Sequence, residues 1–225
     1  MTFKRVVLPD SFFTDDELTR AMAGIGMRVS CSKPIKNPNI EDVLLSASLE
    51  GLKNDWRTLS LVVDWFIKHS SLINVDRLTR ALIELKENEL LIAFWSALAQ
   101  QTGHDLRFNR MRKLYHGDRI LIGGDKSQLL LKRNGEDQRF LNTHLVVPNL
   151  LLRSRQSDIL DTREITQLNS YAYYRVMMGA SYRSDVFATL NLAKKTVVPS
   201  DLARKCYCAF KTAWDGLRDW KILFF

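Results

Sequence analysis

Between Ile40 and Gln101 four apolar stripes follow one another at helical spacing, separated only by short polar breaks. Val43, Leu44, Ala47 and Leu52 form the first. Trp56, Leu59, Leu61, Val62, Val63, Trp65, Phe66 and Ile67 are apolar almost all round and predict a helix in the middle of the core. Leu78, Ala81, Leu82 and Leu85 make a third, and Leu90, Leu91, Ala93, Phe94, Trp95, Leu98 and Ala99 a fourth. Asn39, with Asp42 three residues on, reads as a cap for the first helix, and Asn74 or Asp76 opens the third. Such stripes bury themselves most simply against antiparallel neighbours, in a bundle or a solenoid-like stack. The fold class expected is therefore mainly α, with little β structure.

The flanking segments are less regular. Ser11 to Met22 predicts a short helix, Thr14-Asp-Asp-Glu17 having the pattern of a capping box. Residues 107–160 read as a basic linker region. Its apolar runs, Ile120–Ile122, Leu129–Leu131 and Leu145–Val147, are split by Gly123-Gly124 and by Asn134-Gly135. Asn-Gly is a strong turn signal, so either a small hairpin or an irregular linker is expected there. A helix resumes at Asp161 and runs through Leu168. An aromatic stretch around Tyr171, Tyr173 and Tyr174 follows, and another helix runs from Ser181 or Ser184 to about Ala193. The division expected is 1–106 as a helical bundle domain, 107–160 as the linker and 161–225 as a C-terminal domain.

Residues 196–225 carry a more specific pattern. Pro199 and Ser200 open a short helix with Leu202 and Ala203 on its inner face, and a turn follows at Cys206, Tyr207 and Cys208. A second helix repeats small or apolar residues at Ala209, Ala213, Gly216 and Leu217, with Trp220 one turn on. Its opposite face presents Phe210, Lys211, Trp214 and Arg218. Two helices that cross steeply over a small residue such as Ala203 form a helix-turn-helix, which lets the second helix enter the major groove of DNA. Ile222, Leu223, Phe224 and Phe225 read as the start of a strand. It would pair near Thr196–Val198, or the natural chain would continue beyond it.

Leu202-Ala203-Arg204, Thr212-Ala213 and Leu217 make this segment resemble the winged helix-turn-helix superfamily of bacterial and archaeal regulators, over roughly the last 50 residues. Tyr207 stands where that family usually has a turn glycine, and Ala209 where it has a capping Ser or Thr. The resemblance implies a duplex-DNA-binding regulator, either a repressor or an antitoxin-type autoregulator, acting as a homodimer on a palindromic site. Lys211, Thr212 and Arg218 are the expected DNA contacts, and Arg204 and Lys205 would hold phosphates. Arg183 would either pair with Asp185 or reach a phosphate. Phe210 and Trp214 would stack on a partner or pack against the wing. A protein-interaction module built on the same winged helix, with Phe210, Trp214 and Trp220 as its contacts, is the alternative.

Charge supports the first reading. Residues 1–106 hold 12 Lys and Arg against 14 Asp and Glu, whereas residues 107–225 hold 21 against 11. The whole basic excess thus lies in the half with the helix-turn-helix, as a phosphate-binding surface requires.

Other chemistries find little support in the residues. Cys206 and Cys208 have no further ligands nearby and read as buried packing groups. His104-Asp105 lacks the spacing of a metal-dependent phosphohydrolase, with His69 and Asp158 as remote complements. Asp64 with Glu84 and Lys86 lies in helical pattern, where nuclease chemistry needs strands. There is no phosphate-binding glycine loop, so neither catalysis nor a cofactor or metal is expected. No apolar run spans a membrane, the N-terminus is too short in apolar residues for a signal peptide, and three cysteines suit a reducing, cytoplasmic setting.

Overall fold

The computed structural model describes residues 5–193 and 195–224, apart from the side chains of Asp125 and Lys126. Met1–Lys4 of the amino-terminal stretch and Phe225 of the expected strand lie outside them. The protein is mainly helical. In chain order the first helices are α1 (Asp15–Gly24), α2 (Ile40–Gly51), α3 (Trp56–His69), α4 (Val75–Glu84) and α5 (Glu89–Gln100). A short α6 (Asn109–Arg112), β1 (Ile120–Leu121), α7 (Gly124–Asn134) and β2 (Leu145–Val146) follow. The chain closes with α8 (Thr162–Leu168), α9 (Ser170–Met178), α10 (Tyr182–Leu192), α11 (Pro199–Lys205) and α12 (Phe210–Phe224). Among the described residues no helix is long and apolar enough to cross a membrane.

The four stripes of residues 40–101 fold as α2 to α5. Each helix opens on a side-chain cap, Asn39, Asp55, Asn74 and Asn88 respectively, which satisfies amides that the first turn leaves unpaired. α3 is the central helix, with Leu59, Leu61, Val62, Val63, Trp65 and Phe66 buried. Phe66 packs edge-on against Trp95 and Phe108, at 5.9 and 5.5 Å between ring centroids. The Trp65 indole donates to the Ile25 carbonyl at 2.8 Å, satisfying its one polar atom inside the core.

Three local expectations are corrected. The first helix begins at Asp15 rather than Ser11, and Thr14 makes no side-chain cap; Phe12 and Phe13 instead pack on the core ahead of it. No hairpin forms at Asn134-Gly135. Leu129–Leu131 lie in α7, and Gly135 ends that helix at φ 72° with its N–H on the Leu131 carbonyl at 2.9 Å. Glycine serves the left-handed helix end as readily as it serves a hairpin turn, and here the helix end wins. The strands that do form pair in parallel, Ile120 with Leu145 and Leu121 with Val146. Finally, Ile222–Phe224 are helical, forming the last turn of α12. A run of three or four apolar residues has no period of its own, so the amphipathic helix before it extends through it.

One buried cluster runs from Leu18 to Ala188 and takes in Phe108, Ile122, Phe140, Leu145 and Ile165. The core is thus continuous across positions 106 and 160. A second, smaller cluster lies among α10, α11 and α12, and Trp220 packs against both.

Candidate nucleic-acid interface

α10, α11 and α12 form a three-helix unit around Val186, Leu190, Leu202, Ala203, Cys206, Cys208 and Ala213. α10 starts on a capping box between Ser181 and Ser184. α11 starts on Pro199, whose missing N–H falls where no helical partner exists. α12 approaches α10 closely at Gly216, where a Cβ would stand 2.5 Å from the Val186 Cγ1.

The turn between α11 and α12 explains the unusual tyrosine. The Cys208 N–H reaches the Ala203 carbonyl at 3.0 Å and the Tyr207 N–H reaches that of Arg204 at 3.2 Å. These are the two bonds of a Schellman helix end, with Tyr207 in its left-handed position at φ 55°. A non-glycine residue is strained there, so other contacts must hold it. The Tyr207 hydroxyl donates to Asp42 Oδ2 at 2.9 Å, and the Arg77 guanidinium lies 3.9 Å over its ring. Arg5 Nε donates to the Tyr207 carbonyl at 2.8 Å. Burial and the Asp42 carboxylate push the phenol well above its ordinary pKa, so it remains a donor.

Asp42 and Arg77 belong to a buried ion network that sequence reasoning missed. Arg175 places its two terminal nitrogens 2.6 and 2.8 Å from the oxygens of Glu41 and its Nε 2.8 Å from Asp185. Arg77 reaches Glu41 at 3.1 Å and also bonds Asp42. Asn74 donates its amide N–H to Glu41 and its side chain to Asp185. Burial pushes the Asp185 carboxyl up. In Glu41 the same burial is outweighed by Arg175 and Arg77, and the carboxyl stays below its ordinary value. The network joins α2 and α4 to α9 and α10 and, through Tyr207, to the turn. Its members are scattered from 41 to 207, so no local motif announces it. The one signal was Tyr207 itself, in a glycine position.

The expected contact residues are spread over α10, α11 and α12. Lys211, Trp214 and Arg218 are exposed on α12 at helical spacing, and Lys221, not anticipated from sequence, extends the same face one turn further. Thr212 is half-buried, and Arg204 and Lys205 are exposed at the end of α11. Phe210 is exposed and stacks on Trp214, at 6.4 Å between centroids and 26° between planes. Some of the charge is internally offset: Arg218 pairs with Asp215 and Asp219, and Arg204 lies 3.9 Å from Asp201. The expected Arg183–Asp185 pair does not form. Asp185 turns inward to Arg175, while Arg183 stays at the surface and bridges α10 to α12 through Asp219 at 2.9 Å.

The other sequence candidates are not brought together. Among the described residues no cluster of His, Cys, Asp and Glu is placed to hold a metal ion. Cys206 and Cys208 are buried in the turn, and burial raises both thiols, that of Cys208 to about 11. Asp105 caps the turn before α6 and pairs with Arg107. His69 is buried, with Nε2 2.9 Å from the Leu160 carbonyl. Asp64 accepts from the Arg155 and Ser154 groups of a loop. Comparison with protein-family models, curated proteins and solved structures finds no match for the chain.

Proposed function

We propose that this protein binds duplex DNA through the α10–α12 unit, with α12 lying in the major groove. The observation that carries the reading is the three-helix unit itself. Its inward face is closed by Ala203, Ala213 and Gly216, and its outward face presents Lys211, Trp214, Arg218 and Lys221. The basic excess of residues 107–225 agrees with it. Lysines and arginines at the ends of α11 and α12 would hold phosphates, and α12 side chains would read base edges. A regulator's role, by occupancy of an operator, would rest on this binding.

Fluorescence anisotropy on a random-sequence duplex across a salt series tests the proposal. Binding should weaken steeply with salt, and Lys211→Ala/Arg218→Ala should flatten that dependence by about one unit of slope per phosphate contact removed. Absence of binding at low salt, or a variant that behaves as wild type, contradicts it. The stacked pair Phe210 and Trp214, with exposed Ile222, Leu223 and Phe224, favours a second reading, a protein partner docked on the same helix. Binding that salt leaves unchanged would select it.

A further inference from the structure

A cavity of ≈ 660 Å³ opens between the end of α10, the chain that leads into α11, and the second half of α12. That volume suits one small organic molecule, since such sites run to roughly 300–1,000 Å³. Leu190, Val197, Leu217 and Trp220 give it an apolar wall, and Lys195 and Lys221 are the charged residues among its described lining.

The two lysines stand at helix ends, Lys221 in the last turn of α12 and Lys195 just past the end of α10, where a cation offsets the helix dipole. Neither has an ion pair among the described residues. The α12 carboxylates Asp215 and Asp219 are taken by Arg218 and Arg183, and no acidic residue is among the described lining. Both ammonium groups are thus open to an outside anion. Both lysines are exposed, so their stems can lie along the apolar wall while their heads stay in water. An anion met at that level keeps part of its hydration and avoids the cost of burying a carboxylate. An inorganic anion would leave the apolar wall wet, and a neutral apolar molecule would leave the lysines unused. A molecule with both parts matches the whole lining.

We propose that this cavity binds a small monocarboxylic acid with an apolar body. The body lies on Leu190, Val197, Leu217 and Trp220, and Lys195 and Lys221 meet the carboxylate. The proposal does not rest on the DNA reading.

Titration calorimetry with octanoate tests it, with octanol and acetate as probes that keep one part each. Wild type is compared with Lys195→Gln/Lys221→Gln, which removes two charges that pair with nothing described in the protein. It is also compared with Ala193→Trp, which fills the cavity from an exposed position in its lining. Saturable octanoate binding is expected, weakened about three- to tenfold by the lysine pair and lost in Ala193→Trp. Octanol should bind more weakly than octanoate and equally well to wild type and the lysine variant, and acetate should not saturate. Absence of saturable octanoate binding overturns the proposal. So does octanoate binding that both variants leave unchanged, which is adventitious uptake, and so does octanol binding as tight as that of octanoate, which leaves the lysines no part in it.

Discussion

Replacing Tyr207 with glycine gives the turn between α11 and α12 the residue its backbone geometry prefers, yet should destabilise the protein. The left-handed conformation at φ 55° costs a non-glycine residue about 1–2 kcal/mol, which glycine would recover. Against that stand the hydrogen bond to Asp42 at 2.9 Å and the Arg77 guanidinium 3.9 Å over the ring. The first is worth about 1.5–3 kcal/mol as a bond to a charged group. The second contributes about 2 kcal/mol when desolvated. The net expectation for Tyr207→Gly is a loss of about 1.5–4 kcal/mol before any lost apolar burial is added. Tyr207→Phe keeps the ring and the strain and loses only the hydroxyl, so it should fall by about 1.5–3 kcal/mol. Urea denaturation followed by circular dichroism measures both, and an unchanged m-value would show that the comparison is two-state. A glycine variant as stable as wild type, or more so, would refute the claim that the ion network holds the turn.

Arg175→Met leaves Glu41 and Asp185 buried without their shared partner, and thermal unfolding should show a loss of about 3–5 kcal/mol. Gly216→Ala drives a methyl into Val186 and should cost about 1–3 kcal/mol, with Val186→Ala restoring part of it in the double variant. Burial lowers the pKa of His69, which therefore charges less readily in the folded protein than in the unfolded chain. Its contribution is complete above the ordinary value of 6.5 and is lost as pH falls below it. Stability measured from pH 8 to pH 5 should decline on the acid side, and His69→Gln should flatten that limb.

Capping residues made much of this legible. Asn39 and Asp161 cap the helices whose starts they marked, and Asn74 and Ser181, each one of two candidates, cap theirs. The order of α10, turn and paired helices also follows from the spacing of Leu202, Ala203, Ala213 and Gly216, because small buried residues at helical steps leave few other packings. What was misread involved signals with two physical meanings. Gly135 supplies a left-handed residue to a helix end rather than to a hairpin, and Ile222–Phe224 continue a helix because the preceding turns are already formed. Arg183 and Asp185, two apart on a helix, face different directions and could not pair. The ion network was invisible for another reason. Glu41, Arg77, Arg175 and Asp185 meet only after four helices have packed, and each alone resembles an ordinary surface charge.

Amide hydrogen exchange in the presence and absence of a duplex tests the central claim most directly. The account predicts slowed exchange concentrated in residues 198–221, over α11, the Tyr207 turn and α12, with α2 to α5 unchanged. No protection on adding duplex at low salt, or protection confined to the helices of residues 40–101, would contradict it.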